Sequence, residues 1–232
     1  MALINCPECG KEISSKAAAC PNCGCPASEW REVSLPSSLD VGSTVTFGIY
    51  PQTTNGEQIP IEWQILDIRD RKALLISKYA LDCEPYNRET RDNTWETCTL
   101  REWLNNHFYN VAFNEQEKSL IAQTFISAEI NAKSNTSFGN ATTDKLFLLS
   151  VNEASSYFAS DGARKCMLTE YAYTHSNTSV MHGDRFPCLW RLRTPSFLSA
   201  TVCVFVDGSF FNVAPDNSFI GVRPAMWVTL ES

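Results

Sequence analysis

The stretch WRLRTPSFLSATVCVFVDGSFFNVAPDNSFIGVRPAMW, residues 190–227, decides the fold of this chain. Val202, Val204 and Val206 occupy alternate positions in it. This period of two is typical of a β-strand whose two faces have different surroundings. The stretch therefore predicts sheet structure, and the rest of the chain is expected to pack around that sheet.

Turn residues divide the same stretch into antiparallel strands. Asp207 and Gly208 form a frequent hairpin-turn pair, so residues 209–213 are expected to return as the partner strand. The Pro-Asp-Asn sequence at 215–217 predicts a second turn. A closing strand follows, in which Pro224 indicates an edge or a bulge because proline cannot donate to a sheet ladder.

Composition sets this region apart from the rest of the chain. Residues 194–221 contain no Lys, Glu, Gln, Met or Trp. They do contain large apolar residues, mostly in predicted turns or at strand ends: Phe197, Leu198, Phe205, Phe210, Phe211, Phe219 and Ile220. A sheet does not need large apolar residues in its turns, so they favour an exposed binding patch. The alternative is a pair of hydrophobic core strands with unusual turns.

Three framework motifs carry a family resemblance. They are W-x-L-R-x-P at 190–195, V-x-x-D-G at 204–208 and G-V-R-P-A-x-W at 221–227. The framework resembles the variable region of proteins diversified by diversity-generating retroelements. In that family, mutated template adenines yield codons that cannot encode the five missing residue types. The resemblance implies a C-type-lectin-like fold that holds the varied side chains on a rigid sheet.

The resemblance also implies which residues bind. Thr201, Cys203 and Phe205 are expected to point together while the valines face the core. Arg193 and Arg223 belong to the matched framework and are expected to order loops by bonding backbone carbonyls. The expected ligand-binding residues are Ser196, Phe197, Leu198, Ser199, Thr201, Cys203, Phe205, Phe211, Val213, Asp216, Ser218 and Ile220.

Helix signals precede the variable region. Thr99 can cap a helix that includes Leu100 and Trp103. Asn114 followed by Glu117 is a capping box for a second helix. Another capping box, Ser150 with Glu153, predicts a helix to about residue 158, and Thr169 begins a short helical stretch.

The helix motifs W-E-x-x-x-L-R-x-W-L-N at 95–105 and F-N-x-x-E-K-x-x-I at 113–121 resemble a bacterial domain family of uncharacterised function. That family is itself C-type-lectin-like and often carries an N-terminal zinc ribbon. Apolar patterning predicts further strands, at residues 44–47, 61–68, 73–77 and 145–149.

A separate unit begins the chain. Cys6 and Cys9, then Cys20 and Cys23, form two C-P-x-C-G motifs. Two thiolates three residues apart can grip one metal, and four complete a closed tetrahedral site. A structural zinc ion is therefore expected, the alternative being a redox dithiol. Cys25 is expected to be a spare cysteine.

These patterns predict an α+β, C-type-lectin-like fold, with a mixed, mainly antiparallel sheet and two main helices, preceded by a small zinc ribbon. The ribbon covers residues 1–28 and a linker covers 29–40. The ligand-binding domain covers 41–232, with its variable region at about 190–227.

Charge and segment composition restrict the partners. The net charge is −7 and the pI about 5.0, which argues against a surface that coats nucleic acid. No apolar run is long enough for a membrane span, and the first residues lack the pattern of a signal peptide. A cytoplasmic protein is expected, whose partner is an unknown protein or other macromolecule, with no membrane or nucleic acid involved.

Sequence patterns that would indicate catalysis are weaker than those that indicate binding. His175, His182 and Asp184 could form an iron facial triad, but no spacing fixes it. Lectin-like folds include formylglycine-generating oxidases, whose copper-binding cysteine pair has no clear counterpart near Cys188 and Cys203. Calcium-lectin motifs are absent as well. The sequence thus predicts a non-catalytic, diversified binding protein, with an undiversified lectin-like binding domain or an oxidase-related enzyme as alternatives.

Overall fold

The structure is a computed structural model that describes residues 3–14, 17–26, 35, 39–89, 93–128, 130–131, 136–137, 139–176, 186–196 and 200–230. The strands are β1 (Leu3–Asn5), β2 (Glu12–Ser14), β3 (Thr44–Pro51), β4 (Gln58–Arg69), β5 (Lys72–Ser77), β6 (Asp82–Cys83), β7 (Thr124–Ile126), β8 (Ile130–Asn131), β9 (Thr136–Ser137), β10 (Thr142–Asp144), β11 (Cys166–Met167), β12 (Pro187–Cys188), β13 (Trp190–Pro195), β14 (Thr201–Val204), β15 (Phe210–Val213), β16 (Gly221–Val222) and β17 (Ala225–Thr229). The helices are α1 (Thr99–Trp103), α2 (Tyr109–Ala112), α3 (Glu115–Leu120), α4 (Val151–Tyr157), α5 (Asp161–Arg164) and α6 (Glu170–His175). The architecture is α+β with mainly antiparallel sheets, as predicted.

One four-stranded antiparallel sheet has the order β17-β5-β4-β3. The predicted β4–β5 pairing is present, and Asp70 and Arg71 turn the chain between the two strands with φ of 51° and 57°. Two successive residues with positive φ are the mark of the primed turns that match the twist of a hairpin. Trp63 of β4 is fully buried and donates its indole N–H to the Phe47 carbonyl at 2.6 Å.

A second, five-stranded sheet has the order β15-β14-β13-β16-β6. All its pairs are antiparallel except β13 with β16. β14 and β15 are joined by the predicted hairpin, and the Gly208 amide donates to the Phe205 carbonyl at 2.9 Å in the turn. A second turn at Pro215 and Asp216 is also present.

The closing strand connects both sheets. Residues 221–222 form β16 in the five-stranded sheet, and residues 225–229 form β17 in the four-stranded sheet. The chain changes sheets at Pro224, where proline has no N–H to give to either ladder. The Pro224 carbonyl accepts from the Ser77 amide at 2.9 Å, which ties the crossover to β5.

Two predicted helix caps and the predicted start of a third helix are confirmed. Asn114 and Ser150 each form a complete capping box with a glutamate three residues later, and the Thr169 side chain accepts from the Ala172 amide. Thr99 is not a cap, because it is the first helical residue and Cys98 holds the cap position without a side-chain bond. A π-helical turn, Leu104–Phe108, joins α1 to α2.

The prediction of a strand at residues 145–149 is wrong. The strand nearby is β10, and Phe147 makes only an isolated bridge to Ala225. Leu146, Leu148 and Leu149 are nevertheless fully buried. The apolar run therefore indicates a buried segment without regular secondary structure. Apolarity alone does not distinguish such a segment from a strand. Within the described residues, no helix has the length and apolarity needed to cross a bilayer.

Candidate metal centre and binding surface

The predicted cysteine ligands come together in the N-terminal ribbon. The four sulfurs of Cys6, Cys9, Cys20 and Cys23 lie within 4.8 Å of one another. The Cys6–Cys23 and Cys9–Cys20 sulfur pairs are 3.6 and 3.7 Å apart. Four thiolates at about 2.3 Å from a central zinc ion would be about 3.8 Å apart. The group can therefore hold one tetrahedral metal ion.

The two cysteine motifs have the same backbone geometry. The Gly10 amide donates to the Cys6 carbonyl at 2.8 Å, and the Gly24 amide donates to the Cys20 carbonyl at 2.9 Å. Both glycines have positive φ, which explains why each C-P-x-C motif is followed by glycine. The ribbon thus consists of two equivalent turns, each of which presents two sulfurs.

The electrostatics of the ribbon favour thiolate at Cys6 and Cys20, whereas at Cys23 the Cys25 amide is outweighed by burial and the neighbouring sulfurs, which raise the pKa. Burial opposes ionisation of Cys20, but backbone amides of Asn22 and Cys23 donate to its sulfur and lower its pKa to about 6. Thiolate is the form that binds a metal. Cys25 is buried beside Ile13 and lies outside the ligand group, as expected for a spare cysteine.

The β14–β15 hairpin has two different faces, as its alternating sequence predicted. Val202 and Val204 pack into the main core. Cys203, between them, packs instead against Val213 and Ile220 in a separate small cluster. Both faces of β14 are therefore covered by other residues.

The expected exposure of this second face is wrong at four of the twelve positions. Thr201, Cys203, Val213 and Ile220 are all buried. Ile220 ends the loop of residues 214–220, here called the covering loop, and packs with Cys203 and Val213 in one cluster, so this loop lies against the second face. These four residues belong to the support of the loop.

Other expected positions lie at the surface. Phe211 is 54% exposed, and its ring lies 5.6 Å from that of half-buried Phe205. Phe219, which was not among the twelve expected positions, lies on the covering loop and is 46% exposed. We define the aromatic surface as Phe205, Phe211, Asp216, Ser218 and Phe219. Ser196 is half-buried, and the expected positions Phe197, Leu198 and Ser199 lie outside the described residues.

Three buried arginines of this region bond backbone carbonyls. Arg223 donates to the Ser77 carbonyl at 2.7 Å and Arg193 to the Leu148 carbonyl at 2.8 Å, so both bond carbonyls as expected, but those of β5 and of the segment before α4 and not those of the variable loops. No sequence motif singled out Arg191, yet this fully buried residue bonds the Pro215 and Asn217 carbonyls and so fixes the covering loop. Burial lowers the pKa of Arg191 to about 10.

Arg191 also binds the segment Glu84-Pro85-Tyr86, which follows β6. Its Nε donates to the Glu84 carbonyl at 2.9 Å. Tyr86, fully buried, donates its hydroxyl to the Arg193 carbonyl at 2.8 Å. The segment therefore supports β13, through a backbone carbonyl and a tyrosine hydroxyl.

The described residues do not support the hypothesis of an iron site at His175, His182 and Asp184. His175 ends α6 and stacks on Tyr171 with ring centroids 4.1 Å apart. His182 and Asp184 lie outside the described residues. Among the residues that the structure describes, the four ribbon cysteines are the only group of three or more side chains placed to hold a metal.

Cys166 and Cys188 form a second cysteine pair, which the sequence did not predict. Cys166 of β11 and Cys188 of β12 are direct partners in the strand register, and both are buried. Burial opposes ionisation of Cys166, but its hydrogen bond with Cys188 and the charge of Arg223 lower its pKa to about 7. No sequence motif links these two cysteines, because they lie 22 positions apart and become neighbours only in the fold.

The profile of a family described as a domain of unknown function (DUF6273) matches residues 70–230. This match covers more than half of the chain. The chain belongs to the DUF6273 family. No curated protein and no solved structure matches it.

The DUF6273 match contains every residue of the aromatic surface, together with Arg191, Arg193 and Arg223. It begins in the β4–β5 turn, so β3 and all of β4 lie before it. These two strands complete the four-stranded sheet. The metal centre also precedes the DUF6273 match.

Proposed function

We propose that this protein is a non-catalytic binding protein with a C-type-lectin-like domain. Its aromatic surface contacts a protein ligand, and a diversity-generating retroelement varies that surface. The proposal rests on the exposure of Phe211 and Phe219 above a buried, hydrogen-bonded support. The protein acts in the cytoplasm and uses the ribbon as a structural zinc module.

Exposed phenylalanines are suited to binding rather than to folding. An aromatic ring buries 150–250 Å² when it is covered, at the cost of fixing only two torsions. Asp216 and Ser218 lie beside Phe219 in the sequence and are exposed, so they supply adaptable hydrogen bonds to the same ligand. Rigid aromatic groups with small polar neighbours are the composition of antibody-like binding surfaces.

The support under the surface supplies the rigidity that diversification requires. Arg191 and the cluster of Cys203, Val213 and Ile220 fix the loop from inside the domain. Side chains that point outward can then change without altering the fold. Variation is accordingly assigned to exposed positions, and the buried positions belong to the framework.

The proposed metal is zinc, on the grounds of four thiolate ligands and tetrahedral sulfur spacing. A site closed by four protein ligands leaves no open position for a substrate, so its role is structural. It stabilises a unit whose own apolar cluster contains few residues.

Affinity capture with matched variants tests the binding role. The wild type, the double variant Phe211→Ser/Phe219→Ser and the control Phe125→Ser are compared as baits in extracts of cells that carry the gene. Phe125 is 73% exposed on β7 and lies outside the aromatic surface. A partner held by the wild type and by Phe125→Ser, but lost from the double variant, is the expected result. Equal retention by all three proteins would contradict the proposal.

An undiversified binding domain is the second candidate, favoured by the burial of four positions that the resemblance expected to vary. Both candidates predict the same capture result. They differ in the gene, since only diversification requires a template repeat beside it.

A further inference from the structure

Two free thiols face each other in the ladder of β11 and β12. Cys166 and Cys188 are direct partners in this antiparallel register. The Leu168 amide donates to the Phe186 carbonyl at 2.8 Å, and the cysteines lie two positions further along the same ladder. They therefore form the kind of pair whose Cα atoms are about 5.5 Å apart. Disulfides join cysteines with Cα separations of about 4.4–6.8 Å, so the fold holds these thiols where a disulfide can form.

The two thiols have different surroundings. The Cys188 sulfur lies against buried Gly221, since a Cβ added to that glycine would be 3.3 Å from it. Cys166 instead lines a cavity of about 500 Å³, and 6% of its surface is accessible to solvent. Cys188 is not among the described residues that line this cavity. A small molecule that enters the cavity therefore meets Cys166 before Cys188.

Positive charge around the cavity favours the Cys166 thiolate. Lys78, Lys165 and Arg223 all line the cavity with Cys166. Burial opposes ionisation of Cys166, but its hydrogen bond with Cys188 and the charge of Arg223 lower its pKa. The same hydrogen bond and burial raise the pKa of Cys188. One thiol is thus suited to attack an electrophile, and its neighbour keeps its proton until a second step.

The other cysteines of the domain lack this arrangement. Burial raises the pKa of Cys83, Cys98 and Cys203 to about 12. The strand register pairs Cys83 with Gly221 and Cys203 with Phe211, and Cys98 lies just before α1. Among the described residues of the domain, Cys166 and Cys188 are therefore the cysteines that the strand register places opposite each other.

We propose that Cys166 and Cys188 are a reversible redox site, which a hydroperoxide converts into a disulfide. With hydrogen peroxide, the Cys166 thiolate forms a sulfur–oxygen bond, the oxygen–oxygen bond breaks, and hydroxide leaves. The Cys188 sulfur then attacks the Cys166 sulfenic acid. A sulfur–sulfur bond forms, the sulfur–oxygen bond breaks, and water leaves with the Cys188 proton. The two sulfurs lose two electrons in total, and these reduce the peroxide.

The reverse step needs a reductant. A dithiol attacks the disulfide through a mixed disulfide, returns both cysteines to thiols and is itself oxidised to a disulfide. Disulfides of cytosolic proteins are mostly transient, and such a reversible pair is of that kind.

Peptide mapping of the oxidised protein tests this site. The full chain, supplied with zinc for its ribbon, is treated with hydrogen peroxide, its remaining thiols are alkylated in denaturant, and linked peptides are identified by mass spectrometry. A disulfide between Cys166 and Cys188 is the expected main product in the domain, and dithiothreitol should restore both thiols. A disulfide between Cys83 and Cys188, a product that dithiothreitol does not reduce, or an unmodified pair after Cys98 has reacted would overturn the proposal.

Variants assign the two roles. In Cys188→Ser, a cyclic diketone that labels sulfenic acids is expected to label Cys166, because no second thiol displaces the oxygen. In Cys166→Ser, labelling of Cys188 should be slower by about tenfold or more. Cys98→Ser, at another buried cysteine, is the matched control and should form the disulfide at the wild-type rate. Equal labelling of the two cysteines in their variants would overturn the assignment of Cys166 as the attacking thiol.

Discussion

Arg193 of β13 and Glu153 of α4 form a two-point ion pair in which the carboxylate also caps the helix. Arg193 Nη2 donates to Glu153 Oε1 at 2.8 Å, and Nη1 donates to Oε2. The same Oε2 accepts from the Ser150 amide at 2.9 Å. One carboxylate therefore joins the central strand of the variable region to the helix that packs against it.

Removing the arginine from this pair is expected to be strongly destabilising. Arg193→Met leaves the Glu153 carboxylate without its partner and the Leu148 carbonyl without a donor. Because the Glu153 carboxylate is one-third exposed and can be partly solvated, the loss should be about 2–3 kcal/mol of unfolding free energy, below that for a fully buried pair. Denaturant unfolding measures this loss. Lys118→Met, which removes the surface pair with Glu115, is the control and should cost no more than about 1 kcal/mol.

Gly208 and Gly42 have nearly equal φ angles. Alanine substitutions at the two positions therefore distinguish the cost of backbone strain from the cost of a steric clash. Gly208 has φ +93° and Gly42 has φ +91°. A Cβ at Gly208 would lie 1.7 Å from the Asp161 carbonyl oxygen, whereas one at Gly42 meets nothing within 4 Å. Gly42→Ala should cost about 1–2 kcal/mol from backbone strain alone.

Gly208→Ala should cost clearly more than Gly42→Ala, because the hairpin must also move away from α5. The comparison is made by denaturant unfolding under one set of conditions. Equal losses in the two variants would show that the close contact between the hairpin and α5 is wrong.

Adjacent residues of β15 distinguish the aromatic surface from the core. Phe211→Ser should change the unfolding free energy by less than about 0.5 kcal/mol, since the ring is mostly exposed. Val213→Ser should cost about 2 kcal/mol or more, because a hydroxyl enters the cluster with Cys203 and Ile220. A large loss in Phe211→Ser would instead favour a hydrophobic core role for this ring.

Metal content separates the ligand cysteines from the spare one. Cys9→Ser removes one of four sulfurs and should abolish stoichiometric zinc, measured by elemental analysis of the purified protein. Cys25→Ser, at a buried cysteine outside the ligand group, should keep one zinc per chain. Zinc retained in Cys9→Ser, or lost equally in both variants, would contradict the proposed ligand set.

Local sequence signals predicted much of this fold. The capping boxes at Asn114 and Ser150, the Asp207-Gly208 turn and both cysteine motifs depend on residues close in sequence, and all are present. These features could be predicted because the residues that form each of them lie within a few positions of one another.

Features that depend on distant residues were not predictable. Alternation along β14 indicated two faces, but not that Ile220 would cover Cys203. Arg191 and Arg193 lie two residues apart on β13, and only the fold directs one to the covering loop and the other to α4. The pairing of Cys166 with Cys188 likewise arises from a long-range register.

The most direct test of the central claim is the nucleotide sequence of the gene and its flanks. Diversification predicts a near-repeat of the coding region for residues 190–227, with a reverse transcriptase gene nearby. The repeat should differ from the gene only at template adenines. These should fall in the codons of half-buried Phe205 and exposed Phe211, Asp216 and Ser218 rather than in those of buried Thr201, Cys203, Val213 and Ile220. A complete genome without such a repeat, or a repeat whose adenines fall on the buried positions, would contradict the claim.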